Sequence, residues 1–575
     1  METVKENTPE VKKKKIWPWV VVIALLLAGA GGAACWYFWP RPLLTAEMFV
    51  AADLETAPIY DAEGGAAGEL VRGTTVTYVV EEEGEEEAYP GMTRLVMGGV
   101  DENGEVFEDG GVFAWIENAH LTDDPAKVVQ TEKVYANMTM NLYDEVGYPA
   151  AALVEKGEEL QVTGFEGLDE NGVVQKYIVQ VQRKDAVESG YITANYVCRT
   201  QEEASVIYNE KLSAIHAKRG DPYDGGDAKS LDYSYREKGN FPDNVMPKEV
   251  KALYLNNEFI PDVDTYLKIA KGCGINAFVI DIQDGGAVGY ASPTMEKYSP
   301  SAYKAAWNGL EEYKNAVQKI KDAGYYVVGR ITTFNDPYFA EDHPEYLIAN
   351  PKGKPLKIGG MYWPSAYQRY VWQYKVDLAL EAVELMGFNE IQFDYVRFPD
   401  GTWWFDDDEI DYRNTYGETK AQAIQRFLIY AADKLHAAGA YISADVFGET
   451  SNGYVCAYGQ YWPAISNVVD AISAMPYPDH YGASGDWLPW EHPYDVLYSF
   501  GSSAAERQKE TPCPAAVRTW IQAYSAIHEP YTYYGPNQIA AQIKALRDSG
   551  NTGGYMTWNA ASSIQKYYDI QSALD

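Results

Sequence analysis

Cysteine is scarce in this chain. There are five in 575 residues, at positions 35, 198, 273, 456 and 513, with no Cys-x-x-Cys spacing and no even framework. That excludes a zinc ribbon and a disulfide-stapled scaffold. Seven histidines are scattered without a His-x-His or His-Glu-x-x-His pattern, so a hydrolase built on a histidine-rich metal site is not expected, and neither is a metal or other cofactor. Positive charge is in deficit: 47 Lys and Arg stand against 83 Asp and Glu, a formal net charge of −36. Such a surface repels nucleic acid and anionic lipid, and neither is expected as a partner of the main body. No Gly-x-Gly-x-x-Gly follows an apolar run, which argues against a dinucleotide-binding sheet.

Aromatic side chains, by contrast, are plentiful, with 47 Tyr, 15 Trp and 17 Phe. Flat rings stack on the apolar faces of pyranoses, although cores use aromatics too. The N-terminus carries one long uncharged run, Ile16–Trp39, preceded by Lys12–Lys15 and with tryptophans at both ends. The expectation is a basic cytoplasmic tail (1–15), a single transmembrane anchor (16–39) and an extracellular body, placed in the cell membrane by the positive-inside rule. Two rivals are a signal-peptidase site at Ala28–Ala30 and a poor lipoprotein box ending at Cys35.

Two segments, 44–123 and 128–199, share an order of features. Each has Tyr-Asp (Tyr60-Asp61, Tyr143-Asp144), then an apolar run ending in a basic residue and glycine (Arg72-Gly73, Lys156-Gly157). Asp-Glu-Asn-Gly follows, and then a closing glycine-aromatic run. Short alternating runs and these turns predict two small β-barrels. The closing "GYITANYV" resembles bacterial SH3-like domains, which implies wall-peptide binding; a plain spacer pair is the other reading. The acidic run Glu81–Glu87 reads as a solvated loop. Residues 200–247 read as a helix, from Gln201 to about Ala217, followed by a linker broken by Gly and Pro.

From 248 to 575 the pattern changes. Eight apolar runs, at 251–256, 275–282, 325–333, 390–396, 441–447, 468–475, 517–524 and 553–559, alternate with helical stretches such as Glu311–Ala323, Tyr370–Met386 and Lys420–Ala438. This α/β alternation predicts a closed (β/α)8 TIM barrel, with an open doubly wound sheet as the alternative.

Chemistry in such a barrel sits at the C-terminal ends of the strands. The residues there are Asp281 and Asp284 from the second run and Arg330 from the third. Asp394 and Arg397 come from the fourth, Asp445 and Glu449 from the fifth, and Tyr477, Asp479 and His480 from the sixth. The seventh brings Trp520 and Gln522, the eighth Trp558 and Asn559. A buried Asp paired with an Arg is also a common structural device. Carboxylates, aromatics and arginines without a metal cluster nevertheless suit glycoside hydrolysis, which needs two carboxyl groups with different pKa values. In that reading Asp394 is fixed on a strand end, with Arg397 orienting it and Tyr395 and Phe398 walling the site. Asp445, or failing that Glu449, is the acid. Trp520 and Trp558 stack on sugar, and Asp281, Asp284, Arg330, Tyr477, His480, Gln522 and Asn559 bind substrate.

The segments "IQFDYVRFP", "ISADVFG", "DAISAMPYPDHY", "VRTWIQAY" and "GGYMTWNA", in this order over about Lys251–Ala561, resemble the bacterial "putative glycoside hydrolase domain" family. The resemblance implies a TIM barrel related to amylase- and α-galactosidase-like hydrolases, with a nucleophilic Asp at the end of strand four, here Asp394. Asp479 stands where the family has Ser, so it is not a family acid, and Glu449 stands where an apolar residue is expected. Two functions follow: a membrane-anchored extracellular glycosidase cleaving cell-wall or environmental polysaccharide, or a non-catalytic barrel that binds wall glycan together with the SH3-like pair.

Overall fold

The computed structural model describes residues 42–575 apart from 52–55, 81–88, 102–103, 130, 146, 148, 169–173, 184–185, 208 and 407. The expected anchor at 16–39 and the acidic run Glu81–Glu87 lie outside the described residues. Among the described residues no helix is long and apolar enough to cross a membrane. The chain divides into two compact units. One ends at Ala204; the other holds Ser205–Asp575 together with two short stretches, Met138–Asn141 and Leu153–Lys156.

Each sequence repeat forms a seven-stranded antiparallel sheet. The strand order is the same in both, third-second-sixth-fifth-fourth-first-seventh. The shared sequence features occupy equivalent places. Gly73 (φ +85°) donates its N–H to Val50 O at 2.6 Å, and Gly157 (φ +82°) donates to Ala136 O at 2.7 Å. The left-handed backbone at this turn is why a glycine stands there in each. A short 3-10 turn, Asn118–His120 or Ala194–Tyr196, precedes each last strand. The identical order marks a duplicated fold.

The second unit is a barrel of eight parallel strands: β1 (Val250–Leu255), β2 (Ala277–Asp284), β3 (Tyr326–Thr332), β4 (Glu390–Asp394), β5 (Tyr441–Phe447), β6 (Ala471–Met475), β7 (Ala516–Val517 and Thr519–Gln522) and β8 (Gly554–Trp558). β7 is interrupted only at Arg518; its first part pairs with β6 and its second with β8, and β8 pairs with β1, so the ring closes. A helix follows each strand: α1 (Val263–Lys271), α2 (Leu310–Asp322), α3 (Arg369–Met386), α4 (Lys420–Ala437), α5 (Trp462–Ser466), α6 (Pro493–Gln508), α7 (Pro536–Asp548) and α8 (Ile564–Ile570). The strands are buried on both faces, as parallel strands covered by helices must be. On α2 the buried residues are Tyr313, Ala316, Val317 and Ile320, the spacing of one apolar stripe.

One segment differs from its sequence reading. Polar, Gly- and Pro-broken stretches read as linkers, yet 218–247 is packed on the barrel. Lys238 Nζ donates to the carbonyls of Ser466 (2.8 Å) and Val469 (2.7 Å), and burial lowers its pKa to about 8. Phe241 packs edge-on against Tyr441 at the start of β5. Backbone polarity that a linker would give to water is satisfied here by the barrel.

Alternation along β4 gives the interior an unusual polar spine. Ile391 and Phe393 face outward, Phe393 packing on Phe427 of α4, while Glu390, Gln392 and Asp394 point along the axis. Glu390 is held by Arg518 Nη1 (2.7 Å) and Tyr326 Oη (2.9 Å). Gln392 Nε2 donates to Ser473 Oγ at 3.2 Å. Asp394 ends the spine at the C-terminal mouth.

Candidate active site

At that mouth a single guanidinium gathers four carboxyl groups. Arg330 of β3 reaches Asp394 through Nη2 (2.5 Å) and Nε (3.1 Å), Asp281 through Nη1 (2.7 Å) and Asp284 through Nη1 and Nη2 (both 3.2 Å). Its Nε lies 3.8 Å from Asp445 Oδ2. Asp281 and Asp284 are three apart and would face opposite sides of a regular strand. A register shift between Asp281 and Gln283 against β3 turns both toward Arg330.

Asp394 is fixed from two sides. Arg330 occupies Oδ2, and Oδ1 accepts the N–H of Tyr395 at 2.6 Å. Tyr395 sits at φ +48°, a left-handed conformation that costs a non-glycine residue about 1–3 kcal/mol and collects at functional sites. Here it folds the backbone amide back onto the carboxylate.

The four carboxyls differ in environment. Asp281 is fully buried; burial pushes its pKa up to about 7 against the pull of Arg330, and the neighbouring charge of Asp284 adds to the rise. The Tyr254 hydroxyl donates to its Oδ2. Asp445, 1% exposed, is pushed well above the ordinary carboxylate range by burial and by Asp394, with Arg330 and the Trp520 N–H opposing. Trp520 Nε1 donates to its Oδ1 at 2.8 Å, and Oδ2 has no hydrogen-bond partner among the described residues. Asp284, its side chain 38% exposed, is the most accessible of the four. Burial works against the charge of Arg330, but Asp284, Asp281 and Asp394 outweigh it and push its pKa up.

The other expected residues fall into two groups. Trp558 lies at the mouth, half-buried, with the Arg330 guanidinium 5.2 Å from its ring centre and Tyr477 stacked alongside at 6.5 Å. His480 is partly exposed, 3.7 Å from Asp479 and 3.4 Å from the Tyr524 hydroxyl; burial lowers its pKa while Asp479 opposes.

Five residues differ from their expected roles. Arg397 does not orient Asp394: its Nη1 bonds Phe398 O (3.0 Å) and Asp400 (3.2 Å), and the guanidinium packs on Tyr395 and Phe447. Trp520 is 1% exposed and its ring is core rather than a stacking platform. Gln522 is fully buried, accepting from Asp479 N and donating to Tyr524 O, and Asn559 is likewise buried at the end of β8. Glu449 leaves the axis because the chain turns into a 3-10 helix (Gly448–Ser451) after β5. It lines a separate cavity whose walls include neither Arg330, Asp394 nor Asp445. Tyr254 was missed: a tyrosine just before the end of an apolar run reads as core, and only its hydroxyl tip belongs to the site.

A family described as "Putative glycosyl hydrolase domain" matches residues 252–564, more than half of the chain and all but the edges of the barrel. The chain belongs to this family. Among solved structures, a hypothetical protein from Ruminiclostridium thermocellum is 32% identical over 34% of this chain and 97% of its own, with a TM-score of 0.29. The PgaB (BpsB) glycoside hydrolase domain from Bordetella bronchiseptica is 12% identical over 57% and 98%, with a TM-score of 0.43. The spore cortex-lytic enzyme SleL of Bacillus cereus is 11% identical over 57% and 74%, with a TM-score of 0.35. No curated protein matches the chain.

Proposed function

We propose that this member of the family hydrolyses O-glycosidic bonds of a polysaccharide, with Asp394 as the nucleophile or base and Asp445 as the acid. The observation that carries the reading is the Arg330 cluster. One cation serves four carboxyls, and burial raises the pKa of two of them, Asp281 and Asp445, beside a carboxylate clamped at a strand end. Two carboxyls with separated pKa values are what glycoside hydrolysis requires. Oδ1 of Asp445 is engaged by Trp520, which leaves Oδ2 to carry and deliver the proton. Asp284, nearer to solvent, binds a sugar hydroxyl in this reading, which its exposure supports.

Purified chain incubated with a panel of polysaccharides should release new reducing ends. Asp394→Asn should leave the fold intact and lower kcat by a factor on the order of 10³ or more. Asp445→Asn should spare substrates whose leaving group needs no proton. If Asp284→Asn shows that pattern instead, Asp284 is the acid. The slight exposure of Asp394 and Asp445 favours a second reading, a glycan-binding barrel without catalysis; it would be recognised by wild-type binding with no reducing ends released. We also propose that Ile16–Trp39 anchors the body outside the cell and that the duplicated sheets are SH3-like wall-binding modules. External protease on intact cells, which should digest residues 44–575, tests the anchor.

A further inference from the structure

The cavity that takes Glu449 has a volume of about 570 Å³, within the roughly 300–1,000 Å³ of ligand sites. It is walled by Tyr223, Trp403, Phe405, Tyr412 and Tyr458, with Glu449, Lys420 and Asp224 among them. Thr402–Trp404 belongs to the loop after β4 and Glu449 to the loop after β5, so the cavity opens on the same end of the barrel as Asp394. Trp403 and Tyr223 are more than half exposed, and neighbouring Trp404 is 81% exposed. Trp403 meets Tyr458 and Tyr223 meets Tyr454 edge-on, and the rest of each ring stays open to a ligand.

A continuous wall joins this cavity to the cluster. Tyr395, the residue after Asp394, has its ring 4.9 Å from the Arg397 guanidinium; the same guanidinium packs on Phe447 (4.6 Å) and reaches Tyr458 (5.8 Å), which lines the cavity. Phe398 N donates to Tyr458 O at 2.9 Å, tying the two loops together. Arg397 therefore acts as the rivet between mouth and cavity.

We infer that this cavity is a glycan subsite that holds pyranose units of the same chain whose bond lies at Asp394, and that it rejects anionic sugars. This rests on the glycosidase reading for its link to the reaction, but binding stands apart from it. Rings supply faces for the C–H sides of pyranoses. Glu449 accepts one hydrogen bond, from Tyr454 Oη at 2.9 Å, and a carboxylate has room for further donors, as vicinal hydroxyls would be. The charged groups facing the space are two carboxylates against one ammonium, Lys420 lying 3.9 Å from Asp224. With the net charge of −36, that balance disfavours uronate, phosphate or sulfate chains.

The test is calorimetry on the full chain carrying Asp394→Asn, which removes turnover, with cello-, chito-, manno- and xylo-hexaose and, as the anionic probe, hexagalacturonate. At least one neutral hexaose should bind, its disaccharide at least tenfold more weakly. Trp403→Ala or Glu449→Gln should each weaken the hexaose at least tenfold and leave the disaccharide unchanged, with hexagalacturonate silent throughout. In the active chain Trp403→Ala should raise KM for long substrates at least tenfold more than KM for a short activated glycoside. If neither variant alters hexaose affinity, or no neutral hexaose binds, or hexagalacturonate binds best, the inference is wrong. Loss of reducing-end release on Asp394→Asn with unchanged Trp403→Ala affinity would overturn the subsite while sparing the glycosidase; subsite binding without any turnover would do the reverse.

Discussion

Asp281→Asn isolates the electrostatics of the Arg330 cluster. Asp281 is fully buried, and its folded pKa, about 7, lies above the roughly 3.9 of an unfolded chain. A raised carboxyl pKa means that the folded state binds the proton more tightly. The stabilisation it represents is complete below about pH 4 and is lost as pH rises through about 7. Between pH 5 and pH 8.5 that linkage amounts to about 3 kcal/mol, an order-of-magnitude figure. Asparagine keeps the shape and does not titrate, so other groups cancel in the comparison. The assay is urea unfolding of wild type and variant at pH 5, 6, 7 and 8.5, followed by tryptophan fluorescence, since ten of the fifteen tryptophans lie beyond residue 248. The stability advantage of wild type over Asp281→Asn should shrink by about 2–3 kcal/mol across this range. An advantage that stays constant or grows with pH would mean that Asp281 is ionised in the folded protein, and the proton-holding cluster would have to be abandoned.

Arg330→Met should cost about 3–5 kcal/mol at pH 7, because it strands buried carboxylates; Arg330→Lys should recover only part of this, lacking the fork that spans Asp281 and Asp394. Wild-type stability of Arg330→Met in the same urea assay would contradict it. Trp520→Phe keeps the ring buried but removes the N–H that favours ionised Asp445, so the alkaline limb of the pH–rate profile should move to higher pH. An unmoved limb would show that Asp445 is not the acid. Trp520→Ala should destabilise by about 3–5 kcal/mol, as core truncation does, where a surface stacking role would leave the melting temperature nearly unchanged.

The barrel was legible because period and length speak through single residues: eight apolar runs with helices between them leave few other arrangements, and Asp394 at the end of one of them pointed to the mouth. The partners of Asp394 were less so. Closeness in sequence favours Arg397, but proximity along the chain ends where the backbone turns. Tyr395 at φ +48° reverses the path after Asp394 and sends Arg397 to a nest of aromatic rings. The true partner arrives across the sheet, since Arg330 pairs in register with Gln392, one pleat below Asp394. The bulge that swings Asp284 onto Arg330, and the 3-10 turn that carries Glu449 off the axis, are likewise one-residue changes of direction that periodicity does not record.

The placement of Arg330 also explains why so polar a mouth can be built at all. An isolated buried carboxylate is expelled or protonated, because desolvation outweighs what a distant charge returns. Arg330 spans enough space to touch Asp281, Asp284 and Asp394 and to approach Asp445, so each carboxyl sees the same cation at a different distance. The closest contact fixes Asp394, while at 3.8 Å Arg330 does not offset the burial of Asp445, and its pKa is raised. Burial and distance from one guanidinium together sort chemically identical side chains into different environments, with Asp394 clamped and the pKa values of Asp281 and Asp445 raised by burial. The sorting would survive replacement of any outer carboxyl and collapse with Arg330 itself, so Arg330→Met should abolish activity even on a substrate that needs no acid, where Asp445→Asn does not. Equal activity of the two variants on such a substrate would show that Arg330 serves only the fold.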